Sequence, residues 1–248
     1  MFRTLLDYFE VILAILLGII VIRYILTLST DRVYMPVSWK EAVKKGKVNP
    51  ALVRTERKYR DKARFFNLWL QIERLRQDDV PGAFAELGVY RGETARIIHL
   101  SDPSRKLYLF DTFSGFKQED LEKETGEAAT YKTSNFADTT MERAKRAIGG
   151  NENVVFRPGY FPSSAEGLKE EAFALVNIDA DLYNPIRAGL EFFYPRLVPG
   201  GVILVHDYNS KWEGAMKAVN EFASNIPETL VHVPDSDNTI MIIKNRSV

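Results

Sequence analysis

The sequence predicts an α/β domain built on a doubly wound, mostly parallel sheet and preceded by a membrane-spanning helix. Three observations predict it. From residue 83 onward short apolar runs alternate with helix-forming segments, the pattern of βαβ units whose strands pair in parallel. Two of those runs, at 173–178 and 201–205, are apolar almost throughout, as strands buried on both faces are. Near the N-terminus, residues 11–22 are uninterrupted apolar, and the run resumes after Arg23 as Tyr24-Ile25-Leu26-Thr27-Leu28.

The span 11–28 is about the minimum for crossing a bilayer, and Arg23 lies near enough to its C-terminal end to snorkel. Asp7 and Glu10 precede it and no small-x-small cleavage site follows, so a cleaved signal peptide fits less well than an anchor. A buried or interfacial helix is the alternative. Arg32, Lys40, Lys44, Lys45, Lys47 and Arg54 follow the span while Arg3 alone precedes it. The positive-inside bias then places the rest of the chain in the cytoplasm. Residues 1–30 are read as a membrane anchor, 31–80 as a linker and helical cap, and 81–248 as the main domain. The cap carries Phe65, Phe66, Leu68, Trp69, Ile72 and Leu75 at helical spacing.

Pro81-Gly82 punctuates the chain. Strands are expected at 83–88, 106–110, 153–157, 173–178 and 201–205. Helices are expected at 93–100, 139–148, 163–170, 185–197 and 212–224, with Pro185 near a first turn. Segments 229–233 and 239–244, joined by Pro234-Asp-Ser-Asp-Asn238, read as a closing hairpin whose last strand is antiparallel. The result is a Rossmann-like seven-stranded sheet. Residues 117–135, polar and glycine-containing, form the one long loop, and long loops in compact domains often cover binding sites.

The 248 residues suit one large α/β domain, and 46% hydrophobic with 27% charged is globular composition. Lys plus Arg equals Asp plus Glu at 33 each, so no basic field points to nucleic acid. The absence of cysteine removes disulfides, thiolate metal sites and cysteine nucleophiles.

Chemistry concentrates at strand ends. The run 173–178 leads into Asp179-Ala-Asp181, and 201–205 leads into His206-Asp207. In an open parallel sheet ligands bind beyond the carboxyl ends of the strands, and charges packed there are costly unless paired or metal-bound. The first strand–helix turn reads Glu86-Leu-Gly88-Val-Tyr90-Arg-Gly92-Glu-Thr94. Gly88 suits a close ligand approach, and the helix start offers free N–H groups. Tyr90 replaces the middle glycine of the dinucleotide fingerprint, which disfavours a pyrophosphate and argues against NAD. Asp111 ends the second strand where a ribose-binding acid belongs. A nucleoside cofactor without a diphosphate fits this pair, and S-adenosylmethionine is one.

Four stretches at these spacings carry a resemblance: Phe66-Asn-Leu-Trp69, 86–92, Asp111-Thr112-Phe-Ser-Gly115, and Asn177-Ile-Asp-Ala-Asp-Leu-Tyr183 with Tyr194-Pro-Arg-Leu-Val-Pro-Gly-Gly201. Over residues 64–244 the chain resembles the macrocin O-methyltransferase (TylF/MycF) family of metal-dependent class I methyltransferases, which act largely on sugar hydroxyls. The N-terminal anchor is not part of the usual pattern. The resemblance implies that Glu86, Gly88 and Gly92 shape the methionine end of the cofactor pocket, with Tyr90 and Thr94 on the same turn. It implies that Asp111, with Thr112 beside it, holds the ribose. Asp179, His206 and Asp207 would bind a divalent cation, usually magnesium, and Asp181 would be the general base.

The family usually has Asp-Asp-Tyr where this chain has His206-Asp207-Tyr208. Imidazole suits manganese or iron better than it suits magnesium. A site that needs no metal, with His206 as a base, is the second possibility, and a His206 that only hydrogen-bonds Asp179 or Asp181 is the third. Gly159 and Tyr160, after the third strand, are expected to contact adenine. Tyr183, Tyr208, Lys211 and Trp212 are candidates to border the acceptor, while His99 and His232 read as packing or surface residues.

The expected activity is therefore O-methylation of a small-molecule or lipid-linked sugar or glycan precursor by a membrane-tethered enzyme, for which a homo-oligomer is one candidate assembly. The alternatives are a methyltransferase on a non-sugar hydroxyl, and a non-catalytic, membrane-tethered nucleoside-cofactor-binding protein.

Overall fold

The computed structural model describes residues 5–30 and 35–246; Arg3 and Arg32, counted in the charge bias, lie outside them. The chain forms two compact units, 1–47 and 48–248. The first holds α1 (Leu5–Thr30) and α2 (Val37–Lys44). Within α1, Asp7–Leu26 has a mean hydropathy of 2.5 and no buried residues. It is long and apolar enough to cross a membrane, by length and composition.

The second unit begins with α3 (Pro50–Lys58) and α4 (Lys62–Gln77). Asn49 and Asp61 cap them, accepting from the backbone N–H groups of Ala51 and Arg64, as short polar side chains do at helix starts. The α4 stripe of Phe65, Leu68, Trp69, Ile72 and Leu75 is buried, and α4 packs on β5, β6 and α5. The remaining elements are β1 (Ala83–Leu87), α5 (Glu93–Ser101), β2 (Leu107–Asp111), α6 (Gln118–Leu121), α7 (Met141–Ile148), β3 (Val154–Pro158), β4 (Phe173–Ile178), α8 (Tyr183–Phe193), β5 (Leu197–Val205), α9 (Glu213–Ala223), β6 (Val231–Val233) and β7 (Thr239–Ile243). The seven strands run in the order β3-β2-β1-β4-β5-β7-β6. β1 to β5 pair in parallel, and β7 is antiparallel to both β5 and β6. The sheet is thus mixed, as the closing hairpin predicts.

Several boundaries differ from expectation for local reasons. The helix expected at 163–170 is a single 3-10 turn, Ser163–Ala165, because Gly167 takes a left-handed φ of +84° and turns the chain. The segment 117–135 is not bare loop: it contains α6 and a 3-10 turn, Ala128–Thr130. The helix expected from Pro185 starts two residues earlier, at Tyr183, and β5 starts at Leu197 rather than 201.

One face of the sheet packs on α8 and α9, with Phe193 at the centre of an aromatic cluster. Its ring lies 5.1–5.8 Å, centroid to centroid, from Phe110, Phe161, Phe173 and Phe192, and the side chain is fully buried. Phe193→Ala removes that packing and leaves a cavity, at an expected cost of about 3–5 kcal/mol. A lowered urea midpoint of the detergent-solubilised chain, at unchanged m-value, is the check.

Candidate active site

The sheet changes direction of winding between β1 and β4, where open α/β sheets place their ligands. A cavity of about 460 Å³ opens there, beyond the strand ends, within the size range of small-molecule sites. Gly88 after β1, Asp111 ending β2, Gly159 and Tyr160 after β3, and Asp179 and Asp181 after β4 all line it. Six residues expected at or just after strand ends thus line one cavity.

Gly88 has φ +89°, and a Cβ there would overlap the backbone carbonyl of Asp179. The glycine is therefore required by the close approach of the β1 and β4 ends. Tyr90 also adopts a left-handed φ of +49°. Its hydroxyl donates to Asp138 at 2.7 Å, and its ring meets Phe136 edge-on, so the side chain braces the cavity rim. Asp111 accepts from the N–H groups of Val89 and Tyr90 at 2.7 and 2.8 Å and of Phe113 at 2.6 Å. A carboxylate offers about four acceptor positions, so it keeps capacity for a ligand hydroxyl. Thr112 lines the cavity while its hydroxyl donates to the Gly115 carbonyl. Thr94 lines it beside Tyr59.

Glu86 and Gly92 do not line the cavity. Gly92 is the left-handed N-cap of α5, and a Cβ there would press on Ile148 of α7. Glu86 faces Asn177 across the β1–β4 register and accepts from its side-chain amide at 2.9 Å. Burial, and then the charge of Asp179, push its carboxyl well above the ordinary range.

The charged cluster sits where β4 and β5 end. Asp179 accepts from the Arg64 guanidinium at 2.7 Å and faces His206 Nδ1 at 3.1 Å; the same Nδ1 lies 3.1 Å from Asp207. Burial opposes charge on Asp179, but Arg64 and His206 outweigh it and hold the carboxyl well below the usual range. Burial would likewise depress His206, yet Asp179 and Asp207 raise it to about 10. Burial and the neighbouring carboxylates Asp207 and Asp179 push Asp181 well above normal. Burial also raises Asp207, against the pull of His206. Asp181 and Asp207 both stand at left-handed φ, +60° and +63°, a backbone cost that turns both side chains into the cluster.

The cluster can hold a cation. Ligand atoms of Asp179, His206 and Asp207 lie within 4.8 Å of one another, and His206 Nδ1 is buried with no well-directed hydrogen bond despite its two carboxylate neighbours. His206 Nδ1 lies 3.1 Å from a carboxylate oxygen of each of the other two candidate ligands.

Residues outside the sequence-predicted set complete the site. Arg64 and Tyr59 reach the cavity from the helical cap, and Phe116, Lys117, Asp120 and Phe136 cover it. Arg64 had a signal in the sequence: four residues before Leu68, it occupies the buried stripe of α4, where a charge demands a partner. Asp120 had none. His99 is buried, and His232 is exposed against Tyr208.

Among solved structures, the O-methyltransferase NovP superposes with a TM-score of 0.63 at 24% identity, covering 75% of this chain and 81% of its own. The fold is thus the Rossmann-like α/β fold of methyltransferases. The chain belongs to the macrocin O-methyltransferase (TylF) family, whose model matches residues 40–240. The tetracenomycin-C 4'-O-methyltransferase of Streptomyces olivaceus, acting on a dimethoxy-rhamnosyl form as its name states, is 27% identical over 156 residues. The mycinamicin III 3''-O-methyltransferase of Micromonospora griseorubida is 30% identical over 158. Each match covers 58% of this chain, and spans 60% and 62% of the respective relative.

The cluster has a signature in stability. A folded-state His206 raised from 6.5 to about 10 contributes stability that is complete below its unfolded value and lost as pH rises through the folded one. With chelator present, the wild-type chain should therefore lose more stability between pH 7 and 10 than His206→Asn does. Denaturant melts across that window measure it; parallel curves would remove the ion-paired imidazolium.

Proposed function

We propose that the chain is an S-adenosylmethionine-dependent O-methyltransferase acting on a hydroxyl of a sugar or glycan precursor, assisted by a divalent cation. The observation that carries this reading is the convergence of Asp111, Asp179 and Asp181 on one cavity at the sheet's switch point, in a member of the TylF family. Bound there, S-adenosylmethionine supplies an electrophilic sulfonium methyl group. Asp111 accepts from the ribose hydroxyls with its remaining lone pairs, Tyr160 and Gly159 flank the adenine, and the turn 88–94 carries the methionine end.

A cation on Asp179, His206 and Asp207 supplies Lewis acidity toward the acceptor hydroxyl. Manganese or iron matches the mixed nitrogen–oxygen donor set better than magnesium does. Asp181 takes the hydroxyl proton. Burial and the carboxylates Asp207 and Asp179 favour its protonated form, and positive charge arriving in the cavity would lower its pKa toward a working base. One observation favours a second reading of the same chemistry: Arg64 and protonated His206 already balance the carboxylates, a state in which no metal is needed.

Calorimetry on the detergent-solubilised chain should give micromolar S-adenosylmethionine binding; no heat from folded protein overturns the reading. With nucleotide-activated and lipid-linked sugars as acceptors, Asp181→Asn should lose about 10²–10⁴-fold in methyl transfer while retaining cofactor binding. Chelation should abolish transfer and manganese or iron restore it; full activity in chelator selects the metal-free site.

The helix α1 is the proposed anchor, with the catalytic unit cytoplasmic. The unbroken apolar run 11–22 supports an anchor, since helix segments apolar on every side are buried or lie in lipid. The chain should stay in the membrane pellet through an alkaline carbonate wash, and release into the supernatant would exclude a spanning helix.

A further inference from the structure

The helix α8 begins one residue after the Asp181–Leu182 peptide, and its N-cap position is Leu182, which has no side-chain acceptor to offer. A helix start left with free N–H groups is normally capped by a local Ser, Thr, Asp or Asn. Here the cap comes from 59 residues upstream: Glu124 Oε1 accepts from the Tyr183 N–H at 2.7 Å. Glu124 is only 7% exposed, and its other oxygen is buried without a hydrogen-bond partner. Residue 214, in the first turn of α9, is a glycine, and a Cβ there would overlap that carboxylate. The fold thus keeps a slot for Glu124 between the starts of α8 and α9.

Glu124 belongs to the segment that covers the cavity, and the same segment is tied down by other contacts. Asp120 accepts from the Tyr160 hydroxyl at 2.9 Å and from the Asn184 amide at 2.7 Å. The Thr125 hydroxyl donates to Glu213 at 2.6 Å. Leu121 and Ala128 pack with Leu182. On the other side of that cap, the turn 180–182 is tight: the Leu182 N–H donates to the Ala180 carbonyl at 2.6 Å, and Asp181 is held at φ +60°.

We propose that Glu124 is a positioning residue for Asp181: by capping α8 from the covering segment, it makes closure over the cofactor cavity and the setting of the Asp181 turn a single event. Seating Glu124 supplies the helix start that its own sequence lacks, and withdrawing it frees the Tyr183 amide and the turn next to it. The assignment of Asp181 as base rests on the proposed methyltransferase reading, but the mechanical link does not.

Hydrogen exchange of the full chain in detergent separates the two. In Glu124→Ala, peptides covering 180–185 and 117–131 should both exchange roughly five- to tenfold faster, the loss expected for a helix cap, while the sheet strands keep wild-type rates. Glu124→Gln retains an acceptor oxygen and should restore protection at 180–185. Gly214→Ala, which fills the slot and leaves Glu124 in the chain, should reproduce the alanine variant even if that variant folds poorly. S-adenosylmethionine added to the wild type should slow exchange in both segments together. Wild-type protection of 180–185 in Glu124→Ala or Gly214→Ala, or failure of the Gln variant to restore it, overturns the proposal. Absence of cofactor binding by the wild type would instead defeat the methyltransferase reading and leave the exchange result standing.

Discussion

Asp179 follows a strand in which every residue is buried, and its carboxylate lies between two basic groups that arrive from different elements, Arg64 from α4 and His206 from just beyond β5. A carboxylate there with no partner would be driven to protonate; flanked in this way it stays ionised. The same contacts tie the helical cap to two adjacent strand ends. Removing one partner of a buried ion pair leaves an uncompensated charge, a change of about 3–5 kcal/mol in typical cases. The electrostatics of the site and the attachment of α4 are therefore one constraint. It also explains why the cap, far from the sheet's strand ends in sequence, forms part of the cavity wall.

The turn after β1 answers to the same residue. Its glycine is fixed by the Asp179 carbonyl, and Asp111 from β2 grips the next two N–H groups. Three strand ends are thereby tied together at the wall of the cavity. Tyr90 shows how the chain departs from the dinucleotide fingerprint without losing the turn. It takes the left-handed conformation that glycine would take, at a cost the Asp111 and Asp138 contacts offset. Its side chain then points outward to the rim, leaving the backbone available along the cavity.

The parts legible in the sequence are those whose physics is local. Apolar runs with a period suited to buried strands located β1 to β5, and the clusters 179–181 and 206–207 announced themselves as charge abutting core. Gly167 undid an expected helix because a single left-handed residue outweighs several neighbours with fair helix propensity. What stayed hidden was long-range pairing. Arg64 meets Asp179 across 115 positions, and Glu124 meets Tyr183 across 59. An acidic residue in a polar segment carries no mark that distinguishes a solvated side chain from a buried cap. Only the glycine at 214, small where Glu124 must fit, leaves a trace, and it is readable only after the two are seen together.

Charge balance in the cluster decides what a cation must displace. Arg64 and protonated His206 contribute two positive charges. Asp179 contributes one negative charge, and Asp181 with Asp207, both pushed toward protonation by burial, contribute one more if they share a single proton. The resting cluster is then close to neutral, which suits a group of five ionisable side chains of which His206 and Asp207 are buried and the other three half-buried. Metal ligands must be deprotonated, so a dication held by Asp179, His206 and Asp207, as proposed above, would replace the imidazolium proton and leave the positive charge raised by one. That surplus would favour the ionised form of Asp181, whose carboxyl is coupled to Asp207 and Asp179. On that proposal a histidine in place of a third carboxylate would do more than soften the donor set: it would give the site a proton to exchange for the metal. The same exchange would ready Asp181 for the role of base proposed for it.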